Sequence, residues 1–226
     1  MKISYRLVIC IAVFITCLIA ANVIAVKIIT LGPVTLPAAI FVFPVSYIFG
    51  DILTEVYGYR LARKVIWLGF ACNLLFVFFV WIGQILPSAG FWQGQSAYKS
   101  ILGYTPRLLA ASFVGYLAGE FVNSFVLSKM KILTRGRWLW SRTIGSTVVG
   151  QAFDTSLFIT LAFIGTSSFT PVLIFNHWWA KVFIEAIATP ATYAIVGWLK
   201  RKEGIDTYDY KTSYNPFLVT DRGQTE

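Results

Sequence analysis

Up to residue 202 the chain contains five acidic residues: Asp51, Glu55, Glu120, Asp154 and Glu185. None lies in a polar loop; each falls within an apolar stretch or, for Glu55, close to the end of one. A carboxylate in hydrocarbon costs about 2.5–3.5 kcal/mol near a helix centre. Such a group faces a protein interior or a water-filled cavity and commonly lines the path of a solute or a proton. Asp51 and Glu55 stand four residues apart, on one helical face with Tyr47 and Gly58 nearby. Tyr116, Glu120, Asn123 and Ser124 share another face, and Gln151 and Asp154 lie three apart between Thr147 and Phe158. His177, Lys181 and Glu185 descend at four-residue steps beside Trp178, and Asn22 and Asn73 add isolated amides.

Some of these residues have plainer readings. Lys181 and Glu185 are one turn apart and would make a structural ion pair. Glu55 would pair with the arginines that follow it, Arg60 and Arg63. His177, Trp178 and Trp179 suit an interfacial aromatic belt. Gly115 and Gly119, like Ala21 and Ala25, suit close helix packing. Asp51, Gln151 and Asp154 resist such readings, because no cation stands at helical spacing from them. Glu120 also has none within its own stretch, which makes it the candidate for carrying a proton.

The elements that must hold these groups are membrane spans. The chain has 226 residues, 57% hydrophobic, 17% aromatic and only 13% charged, with a mean hydropathy of +0.70. That composition excludes a soluble domain with a polar covering. Six stretches, 5–26, 36–58, 61–86, 107–127, 144–165 and 172–199, are each long enough for a hydrocarbon core of about 30 Å. The first is read as an uncleaved signal anchor, and a short turn at 31–33 separates it from the second. Basic residues gather at Lys2 and Arg6, at Arg60, Arg63 and Lys64, in the 129–142 loop and at Lys200, Arg201 and Lys202. The positive-inside rule then places both termini in the cytoplasm. The expected fold is therefore an all-α integral membrane protein: a six-transmembrane-helix bundle over 1–202, with a polar, flexible cytoplasmic tail over 203–226. The net charge of +9 follows this alternation and implies no nucleic-acid partner. Cys10, Cys17 and Cys72 sit in apolar stretches without a metal-ligand pattern, so free thiols and no metal or cofactor are expected.

Four motifs resemble those of one family. PVSYIFGDILTEVYGYRLAR (44–63), QSAYKSILGYTPRLLAAS (95–112), STVVGQAFDT (146–155) and KVFIEAIATP (181–190) are similar, in this order, to the signatures of the queuosine precursor transporters, also called the vitamin uptake transporter family. The resemblance implies a bacterial inner-membrane importer of 7-deazaguanine precursors of queuosine, such as 7-cyano-7-deazaguanine. A guanine-like edge offers two adjacent N–H donors to a carboxylate such as Asp51 or Asp154. Its carbonyl needs a donor, for which Asn123, Gln151 and Lys181 are available. Its flat ring needs a face, for which Tyr47, Phe158 and Trp178 are available. Glu185 completes the candidate binding set and Glu120 is the candidate for proton coupling.

Two other functions compete. One is a substrate-binding subunit of an energy-coupling-factor-type vitamin transporter; the chain itself has no phosphate-binding loop. The other is an intramembrane aspartyl enzyme built on Asp51 and Asp154, which lacks a nucleophile–base constellation. The partners implied are a small planar heterocycle and the lipid bilayer, with a homodimer left open.

Overall fold

The computed structural model describes residues 4–31, 34–103, 106–165 and 169–218. Lys2, the turn residues 32–33 and Tyr104 lie outside them. Helix α1 (Tyr5–Ile24) starts at Ser4, whose side chain accepts from the Leu7 N–H at 3.1 Å. Its buried residues, Leu7, Cys10, Phe14, Leu18 and Ala21, recur every three or four positions and form one stripe. That stripe packs on Ile48, Ile52, Val65 and Ile66. The opposite face, including Val8 and Ile9, is exposed, as a lipid-facing surface would be.

A short antiparallel hairpin follows, strand β1 (Ile28–Leu31) paired with β2 (Val34–Pro37), with Ile28 opposite Pro37 and Leu31 opposite Val34. This hairpin, where β-branched residues between two spans pair as strands, is a small addition to a chain that is otherwise helical, as the all-α expectation has it.

The expected second span is not one continuous α-helix. It opens with a 3-10 turn (Ala38–Phe41), continues as α2 (Phe43–Ile52) and ends in a π-helical turn (Leu53–Tyr57). Gly58, at φ 88°, breaks it, a backbone conformation that side chains other than glycine's resist. Every residue from Gly50 to Gly58 is buried, so this segment is the centre of the bundle. Helix α3 (Tyr59–Ile85) leaves from the break.

A short helix α4 (Gln95–Leu102) lies on the far end of α3, where Tyr98 donates to the Val80 carbonyl. Helices α5 (Pro106–Leu133), α6 (Leu139–Phe163) and α7 (Pro171–Glu203) complete the bundle. α5 and α6 approach closely at their glycines. A Cβ on Gly119 would stand 2.6 Å from the Asp154 Cβ, and one on Gly150 2.7 Å from the Asn123 Cβ. Gly115 and Gly119 are thus packing residues, as small residues between membrane helices usually are. α7 ends where Gly204 turns left-handed at φ 66°.

Five segments are long and apolar enough to cross a membrane: Tyr5–Ile24, Ala38–Tyr57, Tyr59–Ile85, Gln95–Leu133 and Pro171–Glu203. α6 has the length, at 25 residues, but is more polar. Its buried stripe holds Arg142, Thr143, Ser146, Thr147, Gln151 and Thr155.

Residues 204–218, part of the segment expected to be a flexible tail, are described and make contacts with the bundle. They follow a defined course across the end of the bundle that carries most of the basic residues. The sequence alone does not show this: the segment bonds to backbone groups at the break in the central helix, the Val56 carbonyl and the Tyr59 N–H, which lie far away in the chain. The three cysteines are free thiols.

Candidate functional site

The helices bring the polar residues together in three tiers, each about one or two turns below the last. The first tier lines a cavity of about 590 Å³ at the hairpin end of the bundle. Its polar wall includes Tyr47, Tyr116, Asp154, Thr155, His177 and Lys181, and Phe43 and Phe158 supply aromatic faces. Lys181 donates to Asp154 at 2.6 Å across the α6–α7 contact, and its ammonium lies 5.2 Å from the Phe43 ring centroid. The expectation that Asp154 lacks a nearby cation is therefore corrected, and so is the Lys181–Glu185 pair. Spacing along one helix cannot see a partner on the next.

The second tier is buried beneath the cavity. Asp51 accepts from the Asn123 amide at 2.7 Å. Glu185 accepts from the Thr147 hydroxyl. Glu120 is 0% exposed and neither of its carboxylate oxygens has a hydrogen-bond partner. The Glu185 Oε2, Gln151 Oε1 and Asn123 Oδ1 atoms are also buried without one. These orphaned atoms are carboxylate and amide oxygens, so the tier has more acceptors than its own donors satisfy, and donors are what a proton or the N–H edge of a heterocycle supplies.

The third tier closes the opposite end. Arg142 grips Glu55 through two parallel bonds, Nε at 2.8 Å and Nη2 at 2.7 Å, the strong bidentate geometry. Lys200 joins at 2.6 Å. Lys131 stands 3.6 Å from the same carboxylate and uses its three donors on the Glu55 carbonyl, Asp206 and the Thr207 carbonyl. Glu55 thus takes its cations from α5, α6 and α7 rather than from Arg60 and Arg63 beside it, because the π-helical turn aims it into the bundle. Asp206 lies just beyond the helix. Burial pushes its carboxyl up, and the hydrogen bonds from Lys131 and Lys200 more than offset this, holding it below the usual range.

Of the residues chosen from sequence, Tyr47, Asp154 and Lys181 line the cavity, with Asn22, Asn73, Tyr116, Phe158 and His177. Asp51, Glu120, Asn123, Gln151 and Glu185 lie buried a turn deeper. Trp178 donates its indole N–H to the Val148 carbonyl at 2.9 Å and is absent from the cavity wall. Sequence reasoning missed Ser46, Thr155 and Phe43 as wall residues. The only signal for the first two was adjacency to Tyr47 and Asp154.

Comparisons with known proteins identify the family. Residues 37–195 match the family described as "Putative vitamin uptake transporter". The chain is 32% identical over 183 residues, 78% of each chain, to a Bacillus subtilis (strain 168) protein named "Probable queuosine precursor transporter". It is 28% identical over 123 residues, 54% of this chain and 53% of the relative, to the "Queuosine precursor transporter" of Escherichia coli (strain K12). A Haemophilus influenzae relative, "Probable queuosine precursor transporter", is 25% identical over 143 residues, 63% of this chain and 57% of its own. No solved structure matches the chain. With the family match running from the hairpin through most of α7, the chain belongs to the vitamin uptake transporter family.

Proposed function

We propose that this multi-pass protein of the bacterial inner membrane imports a 7-deazaguanine precursor of queuosine, such as 7-cyano-7-deazaguanine. It does so through six spans, α6 included, with both termini and the 129–142 loop in the cytoplasm. The observation that carries the reading is the cavity with its Asp154–Lys181 wall above a layer of orphaned buried acceptors. About 590 Å³ falls within the roughly 300–1,000 Å³ usual for small-molecule sites. The relatives' names supply the class of cargo. In this reading the flat ring stacks on Phe158 or Tyr47, Asp154 accepts from its N–H edge and Lys181 donates to its carbonyl. Moving inward, the cargo meets Asp51 and brings donors to Asn123, Gln151 and Glu185, whose orphaned oxygens have none. Glu120, with no ion pair among the described residues, is the proton carrier.

The test is uptake of labelled 7-deazaguanine compounds into proteoliposomes containing only this protein, with the membrane potential clamped. Accumulation driven by an imposed pH gradient supports import and proton coupling together. Equilibration alone retains the importer and removes the coupling, and no uptake removes both.

A further inference from the structure

The π-helical turn leaves its last carbonyls without intrahelical donors, and α3 starts at Gly58 with no side-chain cap of its own. Residues beyond α7 supply what both lack. The Thr207 N–H donates to the Val56 carbonyl at 3.1 Å. Asp209, only 5% exposed, accepts from the Tyr59 N–H at 2.9 Å, placing a carboxylate at the N-terminus of α3. The same oxygen accepts from Ser128 on α5 at 2.7 Å. Arg63 donates to the Ser213 and Asn215 carbonyls and Trp67 to that of Pro216. The strand fits closely: a Cβ on Gly58 would stand 2.7 Å from the Thr207 Cγ2.

Residues 204–218 thus tie the central broken helix to α3, α5 and α7, over the Glu55 cluster. The cavity opens from the other end of the same helices. Any solute passing from that cavity to the basic end must cross the plane this strand covers. We propose that residues 204–218 are a strap that closes the basic end of the bundle, held by Asp206 and Asp209, and that its release accompanies opening of the path on that side.

The proposal rests on the transport reading, so one arm of its test uses no substrate. Ser124 on α5 is 1% exposed, hydrogen-bonded to Thr54, and stands between the second and third tiers. In a variant with Cys10, Cys17 and Cys72 replaced, Ser124→Cys is labelled with a membrane-impermeant maleimide from the basic side of oriented vesicles. Truncation after Glu203, and separately the paired change Asp206→Asn and Asp209→Asn in the full chain, are each expected to raise that labelling rate at least tenfold. An unchanged rate in whichever of the two remains monodisperse overturns the strap. In the second arm, Ser128→Cys with Asp209→Cys is oxidised to a disulfide. Uptake is expected to stop on oxidation and return on reduction, and uptake undiminished in the fully cross-linked protein overturns release. If no variant imports anything, the transport reading fails, while the labelling arm still decides whether the strap closes this end.

Discussion

Lys181 of α7 and Asp154 of α6 meet at 2.6 Å on the cavity wall, with their side chains 14% and 13% exposed. The pair joins the two helices and presents one donor and one acceptor to the cavity side by side. Each partner also keeps the other's charge from standing alone in a partly dry site.

Asp154→Asn and Lys181→Gln should each reduce uptake about tenfold or more, since each leaves a half-buried charge without its partner. The double variant should lose less than the product of the two single losses, because the partners act as a unit. Uptake rates at equal expression check this; fully independent losses would remove the pair from the site.

Glu120→Gln keeps size and removes the charge. Uptake by this variant should no longer respond to an imposed pH gradient, while exchange of labelled for unlabelled cargo continues. Retained gradient-driven accumulation assigns the proton elsewhere.

Glu55→Gln should lower stability by about 3–5 kcal/mol, the usual cost of removing one partner from a buried ion pair. The change strands Arg142, Lys131 and Lys200 around a neutral amide. Thermal unfolding in detergent measures it, with Arg60→Gln as the comparison, since Arg60 is exposed and should cost far less.

Gly119→Ala should destabilise by about 1–3 kcal/mol through overpacking. Its new methyl would stand 2.6 Å from the Asp154 Cβ and 3.2 Å from the Gly150 carbonyl. Gly197→Ala meets nothing within 4 Å and should be neutral or stabilising by up to about 1 kcal/mol. The same unfolding measurement separates them.

Asp206 sets a pH dependence. Its carboxyl is held low in the folded chain, so the folded state binds its proton less readily than the unfolded state does. Its contribution is therefore present above the ordinary carboxylate range, near pH 4, and is lost as pH falls through the lower folded value. Proteolysis of the strap should accelerate over that acid interval in the unaltered chain. In Asp206→Asn the strap should be cut at a more nearly constant rate across it.

Much of this was legible in the residues. Long apolar stretches give the helices whatever their neighbours, and the four-residue steps 47–51–55 and 181–185 follow the tiers along single helices. Pairings between helices were not legible. Lys181 prefers Asp154 over Glu185, and Glu55 reaches Arg142, because the crossing of the helices decides which side chains meet. Nor could periodicity show the π-helical turn, since one extra residue in a turn redirects the side chains without changing their types. The hairpin and the contacts of residues 204–218 were not legible either: short β-branched or polar runs carry little pattern, and the partners of 204–218 lie far away in sequence.

The polarity of α6 bears on how the chain reaches the membrane at all. On the six-span reading, a helix carrying Arg142, Gln151 and Asp154 is a poor candidate for inserting into lipid alone, at about 2.5–3.5 kcal/mol for a charge near the centre. Its glycine-lined seam with α5 gives it a ready neighbour, so the two helices would leave the translocon as a hairpin and enter the bilayer together. Lys181, the cation that meets Asp154 among the described residues, would arrive later, with α7. On that reading the site would order its own assembly: α7, made after α6, would bring the cation for the charge that α6 carries in.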